Sequence, residues 1–296
     1  DGLLVIHGHR KKENLIAAFL ALRLKAKAVR TLHGGNEHSG SRSLKTHLSS
    51  QIESFFSKRF LHGNVAVSRE LEGKLLAEGF NRAKVRIISN GIDFENLEVL
   101  AKTQAQASPP LGRRSGRGFA VGIVGRLVPV KRHDIFVEIA ARLTSEAQPT
   151  EFFIVGDGPL YSDIQNRVDQ AGLGSAVSLL GFRQNVYGIL WQLDAVLILS
   201  DHEGLPLNLL ESIGLGVPVI GHAVGGVREL LADYPALHCY PPLENSVSEA
   251  LAKLIAGDPV YDAQFQVCQR SVRSKYSIQW CEKNYHALYT SVSDEN

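Results

Sequence analysis

Two glutamates with seven residues between them, Glu203 and Glu211, stand in the run Asp201-His202-Glu203-Gly204-Leu205-Pro206-Leu207-Asn208-Leu209-Leu210-Glu211-Ser212. The apolar pattern places Glu203 on a loop after a strand and Glu211 on the first turns of the next helix, so both are expected at one strand-end cleft. A carboxylate at a helix start can simply offset the macrodipole, worth about 0.3–1 kcal/mol, but this does not account for the surrounding constellation. That constellation continues with Gly216-Val217-Pro218-Val219-Ile220 and Val224-Gly225-Gly226-Val227-Arg228-Glu229. A second run, Gly125-Arg126-Leu127-Val128-Pro129-Val130-Lys131, sets a glycine and two cations on a loop that leads from a strand into a helix. Both charges can reach one anion, and a diphosphate fits: Arg offers a planar fork, Lys a point charge, and the helix start unpaired N–H groups. From this segment alone, a pair of solvated cations fits nearly as well. A third run, Val155-Gly156-Asp157-Gly158-Pro159-Leu160, has the first two glycines of the dinucleotide fingerprint but Tyr161 in place of the third. It reads as a tight strand-to-helix turn, not as a dinucleotide site.

These groups must be held by alternating strands and helices. Strands are expected over 3–7, 28–32, 64–67 and 85–88, with helices over 13–25, 44–60 and 69–78. Residues 101–118 combine Pro, Gly, Ser and Arg with almost no apolar periodicity and read as a connector. Beyond it, strands are expected over 120–124, 151–155, 177–180, 195–199 and 217–220, with helices over 134–143, 160–170, 186–192, 207–215 and 278–290. Short apolar strands without in/out alternation imply parallel sheets covered on both faces. Ligands in such doubly wound sheets bind at the carboxyl ends of the strands. The division expected is 1–108, a connector over 109–118, a second domain over 119–276, and a terminal helix over 277–296 that crosses back to the first.

The 296 residues, 44% hydrophobic and 21% charged, suffice for two cores and exclude a disordered or collagen-like chain. Three cysteines with no C-x-x-C pair suggest a reducing compartment and no structural zinc. The longest apolar runs fall well short of the roughly 20 residues that cross a bilayer. Charge is segregated: residues 1–118 hold 20 Lys and Arg against 10 Asp and Glu, and residues 119–296 hold 12 against 20. The basic half includes Arg10, Lys11, Lys12, Arg23, Lys25, Lys27, Arg42, Lys45, Lys58 and Arg59; it suits an anionic membrane surface or a phosphorylated ligand, and an ordinary solvated basic face fits as well. No basic strand interleaved with aromatics supports nucleic acid.

Taken in order, Thr31-Leu32-His33-Gly34, Ala66-Val67-Ser68, Ser89-Asn90-Gly91-Ile92-Asp93, the 125–131 loop, the 155–159 turn, Leu180-Gly181-Phe182, the Glu203/Glu211 pair and the 216–229 segment resemble the glycosyl transferases group 1 family over nearly the whole chain. The resemblance implies an α/β GT-B fold of two doubly wound, Rossmann-like domains facing across a cleft. It implies transfer of a hexose from a nucleotide-diphosphate sugar (UDP-, GDP- or ADP-linked) to a glycan or lipid-linked acceptor, with retention of configuration and without metal or other cofactor. By the same resemblance Arg126 and Lys131 grip the diphosphate, Glu211 accepts from the ribose hydroxyls, and Glu203 lies by the donor sugar. Gly204 and Leu205 supply backbone donors, Gly181, Phe182 and Arg183 line the base, Gly125 opens the phosphate loop, and His33 reaches sugar and acceptor from the first domain. The family's N-terminal lobe starts with a strand and a glycine-rich loop, and nothing before Leu3 matches them, so about half of that lobe is expected to be missing. Such an enzyme would be cytoplasmic, resting peripherally on the inner face of the membrane. A non-catalytic nucleotide-sugar-binding protein or an inactive fragment is the alternative, and a GT-B epimerase or phosphorylase fits the E-x7-E context less well.

Overall fold

The computed structural model describes residues 4–34, 44–107, 111, 118–144 and 149–294. Two compact units are present. The first comprises Asp1–Gly91, His202–Leu205 and Ile278–Asn296, and the second Ile92–Asp201 and Pro206–Ser277.

In the first unit, β1 (Val5–Gly8), β2 (Lys27–Leu32), β3 (Gly63–Ala66) and β4 (Val85–Ile87) form one parallel sheet in sequential order. Helices α1 (Lys11–Leu24), α2 (Leu44–Phe60) and α3 (Arg69–Ala77) make the crossovers that parallel pairing requires. Ala17, Ala18 and Ala21 of α1 pack with Ala28 and Leu61, so the face of α1 that meets the core is made of small residues. Its large apolar side chains Ile16, Phe19, Leu22 and Leu24 are exposed, the reverse of an ordinary amphipathic surface helix. A second cluster joins Val29, Val65 and Ile88 to Cys281, Leu288 and Val292.

The second unit is a six-stranded parallel sheet. Its strands are β5 (Phe119–Val124), β6 (Thr150–Val155), β7 (Val177–Gly181), β8 (Ala195–Ile198), β9 (Val219–His222) and β10 (His238–Cys239), in the spatial order β10-β9-β8-β5-β6-β7. The chain lays down β5, β6 and β7 in one direction and then returns to place β8 on the other side of β5. The crevice between β5 and β8 is therefore the topological switch point, where ligands of such sheets sit.

The stretch expected as a connector differs. It is helical as far as Ala107, within α4 (Phe94–Ala107), which buries Phe94, Leu97 and Ala101 and packs against α7 (Val186–Leu190) and α8 (Leu207–Gly214). After Ala101 that helix carries Lys, Thr, Gln and Ala, residues that sustain a helix without an apolar stripe. Residues 108–110 and 112–117, most of the connector, lie outside the described residues, as does Arg42 of the basic set. The remaining helices are α5 (His133–Leu143), α6 (Tyr161–Gln170), α9 (Gly225–Leu231), α10 (Leu243–Ile255), α11 (Pro259–Lys275) and α12 (Ile278–Asp294). Of these, α9, α10 and α11 lie where no helix was expected from the sequence.

Candidate active site

In the second unit, β5 runs out at Val124 into Gly125 and Arg126, then through a 3-10 turn (Pro129–Lys131) into α5. The loop is clamped from below by the 155–159 turn: Gly125 N–H donates to Val155 O (2.9 Å), Leu127 N–H to Asp157 O (3.0 Å), and Leu160 N–H to Leu127 O (3.2 Å). A methyl group on Gly156 would overlap the Gly125 carbonyl, so the G-x-G pair here lets two loops touch. Lys131 returns over the strand end, where a methyl on Gly125 would lie 3.9 Å from its Cε.

At the switch point, Gly125, Lys131, His133, Ser200 and Asn208 line one small crevice. Asn208 is tied into it by donating from Nδ2 to Val124 O (2.6 Å). Arg132, between Lys131 and His133, holds a left-handed backbone (φ 54°, ψ 46°) that favours glycine, and is kept there by Asp134 (3.0 Å) and Asp201 (3.0 Å). His133 is only 1% exposed, and neither ring nitrogen has a hydrogen-bond partner among the described residues. Burial, with Lys131 close by, pulls its imidazole down to about 4. Glu211, half-buried on α8, accepts from the Tyr187 hydroxyl (3.3 Å). Burial raises the Glu211 carboxyl above its ordinary value, and the Tyr187 bond opposes that rise. At the end of β7, Gly181 O accepts from Gly156 N–H (2.9 Å), Phe182 is 72% exposed, and Arg183 is exposed. The second unit thus sets cations at the end of β5 and an uncovered aromatic ring at the end of β7.

In the first unit, the ends of β1 and β2 carry three histidines. His7 makes hydrogen bonds through Nδ1 to the Tyr289 hydroxyl (2.7 Å) and through Nε2 to Thr31 Oγ1 (2.8 Å), and Thr31 also meets the Tyr285 hydroxyl (2.8 Å). His9 Nδ1 lies 2.9 Å from His33 Nε2. The rings stack in series, His7 on His9 at 4.3 Å and His9 on His33 at 5.2 Å. Burial, helped by His9 and His33, pulls the His7 imidazole down to about 4. His33 is lowered by burial and by His9, against an opposing hydrogen bond with Asn90.

Glu203, Gly204 and Leu205 belong to this unit, in the loop His202–Leu205. A methyl on Gly204 would overlap the His33 carbonyl oxygen, and Leu205 O accepts from Asn90 Nδ2 (2.9 Å). The two glutamates expected to share one strand-end cleft therefore stand in different units, Glu203 with the histidines and Glu211 with the cations. Sequence reasoning missed His133, Tyr187, Asn208, Arg132 and His9. Of these only His9 left a signal, the alternation His7-Gly8-His9 at the end of a strand. Among the described residues no group of three His, Cys, Asp or Glu side chains is arranged to hold a metal ion.

Two parallel α/β units, the first with strands in sequential order rather than doubly wound as expected and the second doubly wound with cations at its switch point, define a protein of the GT-B class. The pattern of the Glycosyl transferases group 1 family matches residues 112–266, more than half the chain, and that of Glycosyltransferase Family 4 matches residues 4–96. The chain belongs to the glycosyl transferases group 1 family. It is 27% identical over 227 residues to the UDP-Gal:alpha-D-GlcNAc-diphosphoundecaprenol alpha-1,3-galactosyltransferase of Escherichia coli, covering 75% of this chain and 58% of that one. It is 32% identical over 190 residues to the 2-deoxystreptamine N-acetyl-D-glucosaminyltransferase of Streptomyces fradiae, covering 62% and 43%. The chain spans about half the length of the relatives it matches. Among solved structures, HepE of Anabaena in complex with UDP-glucose is similar with a TM-score of 0.83 at 19% identity, over 97% of this chain and 78% of that one.

Proposed function

We propose that this chain forms the catalytic part of a glycosyltransferase that moves a hexose from a nucleotide-diphosphate sugar to a hydroxyl of a glycan or lipid-linked acceptor, with retention of configuration. The observation that carries this reading is the crevice at the β5/β8 switch point, with Lys131 folded over Gly125 and Arg126 on the same loop. As the bond from the anomeric carbon to the diphosphate breaks, its electron pair leaves with the phosphate and positive charge grows on the sugar. Cations already in place stabilise that developing anion more than the substrate, which is what accelerates the step. Arg126 and Lys131 would do what a metal ion does elsewhere. In the same-face route the acceptor oxygen attacks from the side the phosphate leaves, and its proton passes to a phosphate oxygen. Glu211 accepts from the ribose, Glu203, Gly204 and Leu205 serve the donor sugar and its phosphate, His33 serves sugar and acceptor, and Phe182 with Gly181 and Arg183 flanks the base.

UDP is the first nucleotide to test, because solved relatives are complexes with UDP and UDP-glucose. The deciding experiment incubates the full-length protein with labelled UDP-, GDP- and ADP-sugars and a panel of glycoside acceptors, with and without EDTA. Transfer with the anomeric configuration kept, unaffected by EDTA, is expected; inversion or an absolute metal requirement would overturn the reading.

A peripheral seat on an anionic inner membrane face is part of this proposal. Ile16, Phe19, Leu22 and Leu24 on α1 and Ile52 and Phe55 on α2 are exposed, as are Arg23, Lys25, Lys58 and Arg59 on or beside those helices. Exposed apolar side chains on helices that also carry exposed cations, with Arg23 over the Phe19 ring, suit a charged lipid surface. No helix among the described residues is long and apolar enough to cross a membrane. Co-sedimentation with vesicles should rise with anionic lipid and fall with salt; tighter binding to a duplex-DNA control would end this part of the proposal.

A further inference from the structure

Both chain neighbours of Lys131 are gripped by one residue. Asp201 stands just past the end of β8; its backbone N–H donates to Val130 O (2.9 Å), and its carboxylate Oδ1 accepts from Arg132 Nη1 (3.0 Å). The loop that leaves β5 is therefore pinned to the end of β8 on either side of the lysine. These two strands bound the switch point, and all of these residues lie within the second unit. The rest of the guanidinium is taken by Asp134, which accepts from Nε (3.1 Å) and Nη2 (3.0 Å) and so aims Nη1 at Asp201. All three guanidinium nitrogens of Arg132 thus meet carboxylates, an arrangement that suits a bridge and not a phosphate ligand.

An arginine is an unfavourable choice for this backbone. The 3-10 turn passes into α5 through the left-handed conformation of Arg132, which glycine adopts without a steric penalty and other residues do not. Nor does fold stability account for the side chain, because ion pairs as exposed as these, with about a third of each side chain open to solvent, contribute little. What the guanidinium provides that glycine would not is the link from the β5 loop to the end of β8.

We propose that Arg132 and Asp201 are positioning residues of the transfer step, a bridge across the switch point that keeps the Lys131 ammonium at the departing diphosphate, with Asp134 orienting the bridge. This rests on the glycosyl-transfer reading above. Without the bridge the lysine is still present and charged, but its stretch of chain is held at one point instead of two. A cation that must be brought into place as the bond breaks stabilises the growing anion less than one already there.

The test is steady-state transfer from UDP-glucose to octyl glycosides of glucose, galactose and N-acetylglucosamine by the full-length protein. Arg132→Gly keeps the left-handed backbone and removes only the guanidinium. It should lower kcat about tenfold while donor KM stays within threefold. Asp201→Ala retains the N–H that holds Val130 and should match it, and the two substitutions together should be no worse than either alone, since they break the same contact. In a Lys131→Ala background, Arg132→Gly should change kcat by less than twofold, because the bridge acts only through that lysine. General loosening of the fold would instead lower kcat by the same factor in both backgrounds. An unchanged kcat in Arg132→Gly, a donor KM that rises as steeply as kcat falls, or equal losses with and without Lys131 overturns the assignment. If unmodified protein transfers no nucleotide-sugar, the glycosyl-transfer reading falls and the role in transfer falls with it, whereas a failed cycle in an active protein overturns the bridge alone.

Discussion

Lys131 and Arg126 differ in setting: the first is half-buried over the end of β5, and the second is exposed on the loop. Lys131→Ala should therefore cost more turnover than Arg126→Ala, on the order of 2–4 kcal/mol of transition-state stabilisation against about half that, read from kcat/KM for donor. Equal rates in wild type and both variants would remove this loop from the mechanism. Glu211 gives a pH test. Its carboxyl is raised by burial, and if the ribose hydroxyls donate to the carboxylate, nucleotide binding weakens as pH falls through that raised value. Calorimetry of UDP across the acid range should show this limb in wild type and lose it in Glu211→Gln, with pyrophosphate binding nearly unchanged. His133 acts on stability. Its pKa of about 4 lies below the ordinary 6.5, so the unfolded chain binds the extra proton between those values. Stability from this residue is complete above about pH 6.5 and is lost as pH falls toward 4, at up to ~1.4 kcal/mol per pH unit. Urea titrations of His133→Leu should lack this slope, and the variant should gain about 1 kcal/mol near neutrality because two orphaned nitrogens are removed. The state of His133 could not be read from sequence, where it stands just before the helix expected over 134–143 and only burial sets it apart.

The elements are anchored by polar as well as apolar contacts. Arg30 on β2 and Glu53 on α2 form a buried ion pair; Arg30 also donates to Asn64 Oδ1 on β3 (2.8 Å) and lies over the Phe80 ring (4.5 Å). Ser57 and Asn14 complete the ring around the Glu53 carboxylate, both at 3.0 Å. Glu53→Ala strands a buried guanidinium and should cost about 3–5 kcal/mol in urea unfolding, while a double replacement by apolar residues of similar volume, Arg30→Met with Glu53→Leu, should recover most of it. A double variant as unstable as Glu53→Ala would mean that packing, not charge, is being lost. The strands β1 to β9 were legible because their apolar runs are short, dense and bounded by turn residues, whereas the two-residue β10 (His238–Cys239) was not read. Helices α10 and α11 were not read, although Leu243, Val247, Leu251 and Leu254 recur at helical spacing, because their stripes are one side chain wide within polar sequence. Helix α9 opens with Gly225 and Gly226, which read as loop chemistry. Helix α1 was found, but its period is ambiguous about direction: the alanines face inward and the large side chains outward, and only the packing of Ala28 against it settles which is the core face.

At the scale of the molecule, the glutamate pair, the cations and the histidine at the end of β2 were all visible as motifs, with His33 in the first domain and the cations and Glu211 in the second, but the place of Glu203 in the first unit was not. That distribution depends on which backbone packs with which, as Gly204 does with the His33 carbonyl. Helix α12 supplies Cys281, Leu288 and Val292 to the core of the first unit and the Tyr289 hydroxyl to His7. Deleting Ile278–Asn296 should therefore destabilise the first unit by several kcal/mol, at about 1.5–3 kcal/mol for each large apolar side chain withdrawn. Hydrogen exchange should show the amides of β1 to β4 losing protection while those of β5 to β9 keep theirs, and UDP affinity should persist; uniform loss across both sheets would refute the separation. There is a further consequence during synthesis. Domains made on the ribosome generally mature in the order in which they emerge. Here β1 to β4 are made well before α12, the helix that covers Val29, Val65 and Ile88, and the whole second unit is made in between. These strands must remain incompletely covered while the second unit is synthesised, so chaperone demand and aggregation of nascent chains should centre on β1 to β4, and stalling just before α12 should be tolerated far less well than its distance in sequence from any site residue suggests.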